Sequence, residues 1–454
     1  LLLALSVLTV LPLVPALAAS YLLDDARLTS ALNYAEWSPL AAVIYVIAVA
    51  LELAGLRWLV LGRVREGRYR IASGFYLRKW FVEQLNELSL AILHPLYASL
   101  YLPPYFRLLG AKIGARAEIS TASSVTYDLL EVGDEAFVAD AVTLGDPVTR
   151  RGWLSLNRTR LGRRAFIGNG AHVPDGAAIP DDVLIGCLSL APGSDVIPEK
   201  STFLGIPARR LPRREAFNTF PENLTYRPRR ARVAARLIVE GLRIVMPVAV
   251  VLSLVFAFLS AEWDLLHRVH PVAAVAAVPL LYVAILGLPA TLVSLLFKWV
   301  LIGRYRERTV PMWASFVWLS EAVTTTYETL AVPCFLHHLQ GTPLLPFFLR
   351  LFGAKIGARA YLDTTDMTEF DLNDVGDEAA LNFDCGLQTH LFEDRVMKIR
   401  SVSVGRRAVI GCNSIALPGS RIGADAKLGA LSLVMKGERL PAGTAWHGAP
   451  ARPA

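Results

Sequence analysis

From Val404 onward an aliphatic or small residue returns at every sixth position: Val404, Ile410, Ala416, Ile422 and Leu428. The same spacing runs through Leu161, Ile167, Val173, Ile179, Ile185, Ala191 and Ile197. Neither a helix nor an alternating strand sustains a period of six. A parallel β-helix does, because each hexapeptide supplies one short strand and one corner, and three hexapeptides close a coil. The repeated side chain then points inward and stacks on its counterpart one coil above, with Gly or Asn expected where the corner is tight.

The ladder has outlying rungs, and they come in matched pairs: "IGARAE" from Ile113 and "VGDEAF" from Val132, against "IGARAY" from Ile356 and "VGDEAA" from Val375. Ala-Lys-Ile-Gly-Ala-Arg recurs unchanged from Ala111 and from Ala354, 243 residues apart. Each copy closes alike, "LGIPARR" over 204–210 and "HGAPARP" over 447–453. These matches predict one unit written twice.

Ahead of each ladder lies a pair of apolar runs, 1–19 and 40–61 before the first and 237–260 and 271–302 before the second, each long enough for the roughly 20 residues that cross a bilayer. Glu52, Glu240 and Arg243 fall within or at the edges of these runs, where a charge faces a partner helix or snorkels to the interface. "WLVLGR" from Trp58 and "WVLIGR" from Trp299 end the two hairpins. Mixed segments follow at 75–101 and 311–339, carrying Glu83, Asn86 and Glu87, or Glu321 and Glu328, among aromatics. Such segments are expected to lie in the membrane interface, with His94, His337 and His338 interfacial or packed.

The predicted fold is therefore membrane α-helical hairpins plus all-β, with two parallel β-helix domains in a duplicated unit. The expected divisions are a hairpin at 1–62, a basic hinge and interfacial helix at 63–108, and a β-helix at 109–215. They recur as linker and hairpin at 216–302, hinge and helix at 303–351, and β-helix at 352–454.

Composition agrees with a partly membrane-embedded chain: 454 residues are 54% apolar and 19% charged, with a mean hydropathy of +0.43, too apolar for a wholly soluble protein of this length. The formal charge is +7. Its basic clusters, at 62–70, 209–236 and 303–308, sit beside the apolar runs. That placement predicts a multi-pass protein of a bacterial-type inner membrane, with the basic side and both β-helices cytoplasmic and the lipid bilayer as a partner. A nucleic-acid partner is not expected, because the basic stretches form no helix face and no interleaved aromatic platform. Four cysteines without paired spacing suggest a reducing compartment. No His, Cys or acid set has metal-ligand spacing, so no metal is expected. The chain starts without Met and lacks a basic leader before its first apolar run; the expectation is the tail of something longer.

The ladders resemble the left-handed β-helix (hexapeptide-repeat) acyltransferases. Their alternation with paired membrane runs, together with "THLFEDRVMK" at 389–398, resembles the C-terminal membrane region of the poly-ε-lysine synthetase family of nonribosomal peptide synthetases. The resemblance implies an acyl or aminoacyl transferase that condenses an amine with a thioester. Its donor would be phosphopantetheine on a carrier domain, or coenzyme A. Adenylation and carrier domains, in cis or in trans, would be partners, and trimeric soluble relatives make a homo-oligomer an expectation.

The copies differ where chemistry is concerned. At the offset of 243, His390 aligns with Pro147, Asn382 with Ala139 and Asp394 with Arg151. A thioester-attacking amine or hydroxyl needs a base near neutral pKa, which imidazole provides. The resemblance assigns that role to His390, on a loop leaving the β-helix, with Asn382 and Asp384 on the acceptor side. Glu393 or Asp394 would fix its tautomer or position a cationic acceptor. It also assigns Gly411, Gly429, Ala430 and Ser432 to a pantetheine arm running between adjacent β-helices, with Lys436 and Arg452 near any phosphate. Corner packing explains the small residues equally well. His172 is expected to be structural, and His447 either lines the groove or is a plain rung variation. Two other readings stand: a coenzyme A-dependent acetyltransferase acting on an envelope or lipid-linked acceptor, and a non-catalytic membrane scaffold or export collar.

Overall fold

The computed structural model describes residues 11, 13–15, 31–193, 197–212 and 220–454, without the side chains of 31–36 and 88–92. Apart from residues 11 and 13–15, the first predicted span, 1–19, lies outside the described residues. The chain divides into two compact units, built mainly of Leu40–Asn218 and Thr219–Ala454.

In the second unit, two-residue strands are dealt in rotation to three parallel sheets. Val404 pairs with Ile422 and Ile422 with Leu440, Ile410 with Leu428, and Ala416 with Val434, each one coil of three hexapeptides further on. All seven are buried in one cluster. The first unit does the same: Leu161 pairs with Ile179 and Ile167 with Ile185, and the rungs from Leu161 to Ala191 are buried. Ile197 is half-buried and outside any strand.

The corners meet the expectation in part, with left-handed Gly or Asn at Gly170, Gly176, Asn413, Gly419, Gly437 and Gly443. Third after each rung comes a left-handed residue, and in one column it is charged: Arg116, Glu135, Arg164 and Asp182, then Arg359, Glu378, Arg407 and Asp425, with φ between 54° and 60°. Sign alternates from coil to coil, so neighbours pair: Arg116 and Arg164 lie 2.8 and 2.7 Å from Glu135, and Arg407 lies 2.7 Å from Asp425. Burial pushes the Glu135 carboxyl up, but the two arginines outweigh it and hold it below the usual range. Glycine is required elsewhere, directly after the rung. A Cβ on Gly411 would stand 2.4 Å from the Ala430 nitrogen, and one on Gly376 2.6 Å from that of Arg406.

Once in each unit the coil lengthens by an antiparallel hairpin. In the first unit this is β2 (Val148–Arg150) with β3 (Trp153–Leu156); in the second, β5 (His390–Glu393) with β6 (Val396–Ile399). A third strand joins each from the basic segment behind a membrane helix: β1 (Gly67–Arg70) on β3 and β4 (Arg308–Pro311) on β6. The basic hinges are therefore straps paired to the excursions.

Among the described residues, three helices are long and apolar enough to cross a membrane: α1, with Trp37–Val60 as its span, α4 (Arg230–Arg268) and α5 (Pro271–Ile302). α2 (Gly74–Ile92) and α3 (Leu102–Leu108) separate the first span from its coil. Their counterparts in the second unit are α6 (Ser315–Thr326) and α7 (Leu344–Phe352). α6, expected in the interface, buries Val317, Trp318, Ser320, Ala322, Val323, Thr325 and Thr326. The charges at the head of α4 find partners: Arg236 lies 2.6 Å from Glu240, and Arg243 lies 3.8 Å from Glu321 of α6. Outward on α7 stand Leu344, Phe347 and Leu351. His94 is half-buried, and His337 and His338 are exposed.

The repeated string has a structural explanation. Arg107 and Arg350 donate to the carbonyls of Ile113 and Gly114, or Ile356 and Gly357, fastening the preceding helix to the first coil. The left-handed Gly110 and Gly353 lie against an ion pair that a Cβ would strike, Arg57 with Asp128 and Lys298 with Asp371. Trp58 and Trp299 donate to the Leu108 and Leu351 carbonyls.

Candidate functional site

Glu369 is the centre of the site. It has a left-handed backbone, caps the short helix Phe370–Leu372, and is 1% exposed. A carboxylate at that depth is tolerated only when hydrogen bonds replace its water. His390 Nδ1 lies 2.9 Å from Oε2, and the Thr389 hydroxyl donates to the same oxygen at 2.5 Å. Ser320 Oγ of α6 lies 3.4 Å from Oε1. Burial pushes the Glu369 carboxyl up; the attraction of His390 and the hydrogen bonds from His390, Thr389 and Thr368 outweigh it, so the net direction is down. An ionised Glu369 keeps the imidazole proton on Nδ1 and the lone pair on Nε2.

His390 opens β5 in register with Ile399, so a strand rather than a free loop fixes its backbone. Its side chain is 12% exposed, with the Phe392 ring edge-on at 5.7 Å. The carboxylate at its Nδ1 comes from the preceding coil, not from Glu393. Glu393 pairs with Lys398 and, at 3.0 Å, with Lys436. Asp394 sits in the hairpin turn with φ at 48°. Asn382 donates to the Ile410 carbonyl at 2.7 Å, and Asp384 is exposed at a corner. Burial pushes the neighbouring Cys385 thiol up to about 12, leaving it protonated.

The residues expected to line a pantetheine arm do not form one wall. Ser432 is fully buried and serves a hydroxyl ladder, its N–H donating to Ser414 Oγ at 3.0 Å and its Oγ accepting from the Gly448 N–H at 3.0 Å. Its side chain is closed to any ligand. Gly411 is glycine because the next coil passes too close, and Gly429 abuts His447, where a Cβ would stand 3.2 Å from that side chain. Lys436 is engaged by Glu393. Ala430 and Arg452 are exposed, as is His447. His172 is half-buried in a strand of the first unit. Among the described residues no group of three or more His, Cys, Asp or Glu could hold a metal ion.

Sequence reasoning missed Glu369, Thr389 and Ser320. A signal for Glu369 was present: "DMTEFDL" at 366–372 aligns with "SSVTYDL" at 123–129 at the same offset, with Thr126 at the acid's position. The first unit thus lacks histidine and carboxylate together.

No protein-family model matches the chain. Among solved structures, a maltose O-acetyltransferase from Clostridium difficile 630 is 20% identical, covering 26% of this chain and 81% of its own, with a TM-score of 0.22. A serine acetyltransferase from Neisseria gonorrhoeae is 23% identical, covering 30% of this chain and 54% of its own, with a TM-score of 0.20. Delta-poly-L-ornithine synthetase of Acinetobacter baumannii (strain AB307-0294) is 43% identical over 418 residues, 91% of this chain. The chain spans about a third of that curated relative's length, 31%. Over nine-tenths of its length, then, this chain is a relative of part of a poly-amino-acid synthetase.

Proposed function

We propose that the chain is a membrane-held acyl or aminoacyl transferase that joins an amine to a thioester-bound acyl group, with His390 as its base. The carrying observation is the 2.9 Å contact between His390 Nδ1 and buried Glu369, with no counterpart at Pro147 and Thr126. The acceptor nitrogen attacks the thioester carbonyl and forms the new N–C bond while Nε2 takes its proton. Glu369 stays ionised and balances the imidazolium. The C–S bond then breaks, the sulfur leaves with the proton from Nε2, and amide, thiol and neutral imidazole result.

Phosphopantetheine on a carrier domain, or coenzyme A, would supply the thioester. Of the residues assigned to that arm, exposed Ala430 and Arg452 suit the role, while Ser432 and Gly411 do not. The relative's name points to a polymer of a diamino acid, and the length that this chain does not span leaves room for adenylation and carrier domains. In this reading the parallel coils are two left-handed β-helices of a duplicated unit. The first, without base or acid, has a supporting part. The three apolar helices hold both coils at the cytoplasmic face of an inner membrane, where the basic straps meet anionic lipid.

The test uses the full chain in lipid nanodiscs, supplied with a synthetic aminoacyl-pantetheine thioester and an amino-acid amine, with amide formation followed by mass spectrometry. His390→Ala is expected to lower the rate at least about a hundredfold. Equal rates for the two proteins would overturn the assignment.

A further inference from the structure

Glu369 is also approached from the membrane side of its unit. Ser320 Oγ lies 3.4 Å from Glu369 Oε1 and 3.3 Å from Tyr305 Oη. Both hydroxyls are buried: Ser320 is 1% exposed and Tyr305 3%. Tyr305 stands three residues beyond the end of α5 and just before the strap β4, and Ser320 lies on α6. A carboxylate only accepts, so the Ser320 hydroxyl faces Glu369 as a donor, and the same hydroxyl is within donating distance of Tyr305 Oη. Burial, and then the charge of Glu369, push the phenol up, so it stays protonated.

Resting on the His390 reading, we infer that Ser320 and Tyr305 are positioning residues for the transfer reaction. They hold Glu369 in line behind the base, so His390 is poised only while the segment following the membrane helix is docked on the coil.

Two observations carry this. The first is co-variation between the copies. Val64 occupies the position of Tyr305, since the N–H of each donates to the coil aspartate, Asp128 at 2.9 Å or Asp371 at 3.0 Å. Lys79 occupies the position of Ser320, five residues into the matching helix, and pairs with Glu83 instead. With Thr126 and Pro147, all four members of the chain Tyr305, Ser320, Glu369 and His390 are replaced together. The second observation is the strap. Arg308, Ile399 and His390 stand side by side in one three-stranded sheet, and Glu307 accepts from both the N–H and the hydroxyl of Ser401, at 2.9 and 2.6 Å. The strap occurs in both units. In the second, side chains carry its position through to the acid behind His390; in the first, the strap's Glu66 joins Arg158 and through it Glu131.

Other ionisable groups near this line are already engaged: Glu321 of α6 with Arg243 of α4 at 3.8 Å, and Asp371 with Lys298 of α5 at 2.8 Å. Losing the Ser320 hydroxyl therefore leaves Glu369 with more of its charge directed at His390. The imidazole then holds its proton more tightly, and the acid limb of the rate profile moves to higher pH.

The experiment uses the full chain in nanodiscs with the aminoacyl-pantetheine substrate, following kcat and KM across pH 5–9, and separately titrates His390 by NMR of ring-labelled histidine. Ser320→Ala is expected to lower kcat about tenfold with KM within twofold. Its acid limb and the His390 titration should move up together by roughly half a pH unit. Tyr305→Phe should move both the same way by less, and Ser320→Thr, which keeps the hydroxyl, should restore them. If both variants fold and their profiles and titrations coincide with the parent's, the inference is overturned. Loss of thermal stability with an unmoved His390 titration also overturns it, because that is a packing role. An active His390→Ala would instead overturn the reading beneath it, and the NMR titration keeps the two failures apart.

Discussion

Lys298 Nζ lies 2.8 Å from Asp371 Oδ2, with the lysine fully buried at the end of a candidate membrane span and the aspartate on the first coil beyond it. Asp371 also accepts the Tyr305 N–H, so one carboxylate fixes both the end of the helix and the start of the strap. Arg57 and Asp128 form the same link in the first unit, with Val64 as the N–H donor. Removing one partner of a buried pair strands the other charge, which costs about 3–5 kcal/mol. Lys298→Met should therefore lower the thermal midpoint of the nanodisc-held chain, and adding Asp371→Asn should recover part of the loss. A double variant no more stable than Lys298→Met alone would show that the pair is not what holds the junction.

Glu369→Gln should separate orientation from charge. The amide can still occupy the space behind His390, but it cannot balance an imidazolium, and its NH2 end can face Nδ1 and favour the other tautomer. The rate of amide formation should fall by about ten- to a hundredfold, and His390 should titrate lower than in the parent by about one unit. Pro147→His in the first unit should leave the rate near the parent's, because Thr126 offers no carboxylate to orient the new ring. Unchanged kinetics in Glu369→Gln would remove the carboxylate from the mechanism.

The part of the fold that repeats was legible, because a period of six is a one-dimensional signal: Val404 to Leu428 predicted inward rungs, and inward they point. His390 could be singled out as the candidate base because the other copy has Pro147 at that position. The acid behind it was not, since Glu369 lies 21 residues upstream and the coil, not the local sequence, brings them together. Nearby acids drew the tautomer assignment to Glu393, which geometry gives to Lys398 and Lys436. The corners were legible only in part, for a related reason: Gly419 and Asn413 are left-handed as expected, but charged residues share that role. Left-handed backbone at Arg116 or Glu378 is supported by a charge partner on the next coil, whereas Gly411 answers to the backbone above it, and neither distinction exists until coils stack. The interfacial assignment of α6 failed to foresee its partner: its apolar and aromatic residues mark a buried helix as readily as one lying on lipid.

A pH dependence of stability follows from Glu131. Hydrogen bonds from Lys112, Arg160 and Arg158 hold its carboxyl down at about 2 despite partial burial. The folded value lies below the roughly 4.3 of an unfolded glutamate. Its stabilising contribution is therefore complete above that value and is lost as pH falls from there toward 2. Glu131→Gln should flatten the fall in thermal midpoint between pH 5 and pH 3 and lower the midpoint at pH 7. Parallel curves for parent and variant would show that this cluster contributes no linkage.

Gly411 decides between two explanations of the small residues along the coil. If it were small to admit a pantetheine arm, Gly411→Ala would weaken donor binding and leave the fold alone. The close approach of Ala430 argues otherwise: a Cβ 2.4 Å from its backbone nitrogen must push two coils apart, and overpacking of this kind costs about 1–3 kcal/mol. Gly437 is the control, a left-handed glycine with nothing within 4 Å of its added Cβ, so Gly437→Ala should cost only about 1 kcal/mol of backbone strain. Thermal midpoints measured with and without the pantetheine thioester distinguish the cases. Coil packing predicts that Gly411→Ala lowers the midpoint more than Gly437→Ala does, by the same amount whether or not the thioester is present. An unchanged midpoint combined with a raised KM for the thioester would return Gly411 to the donor site.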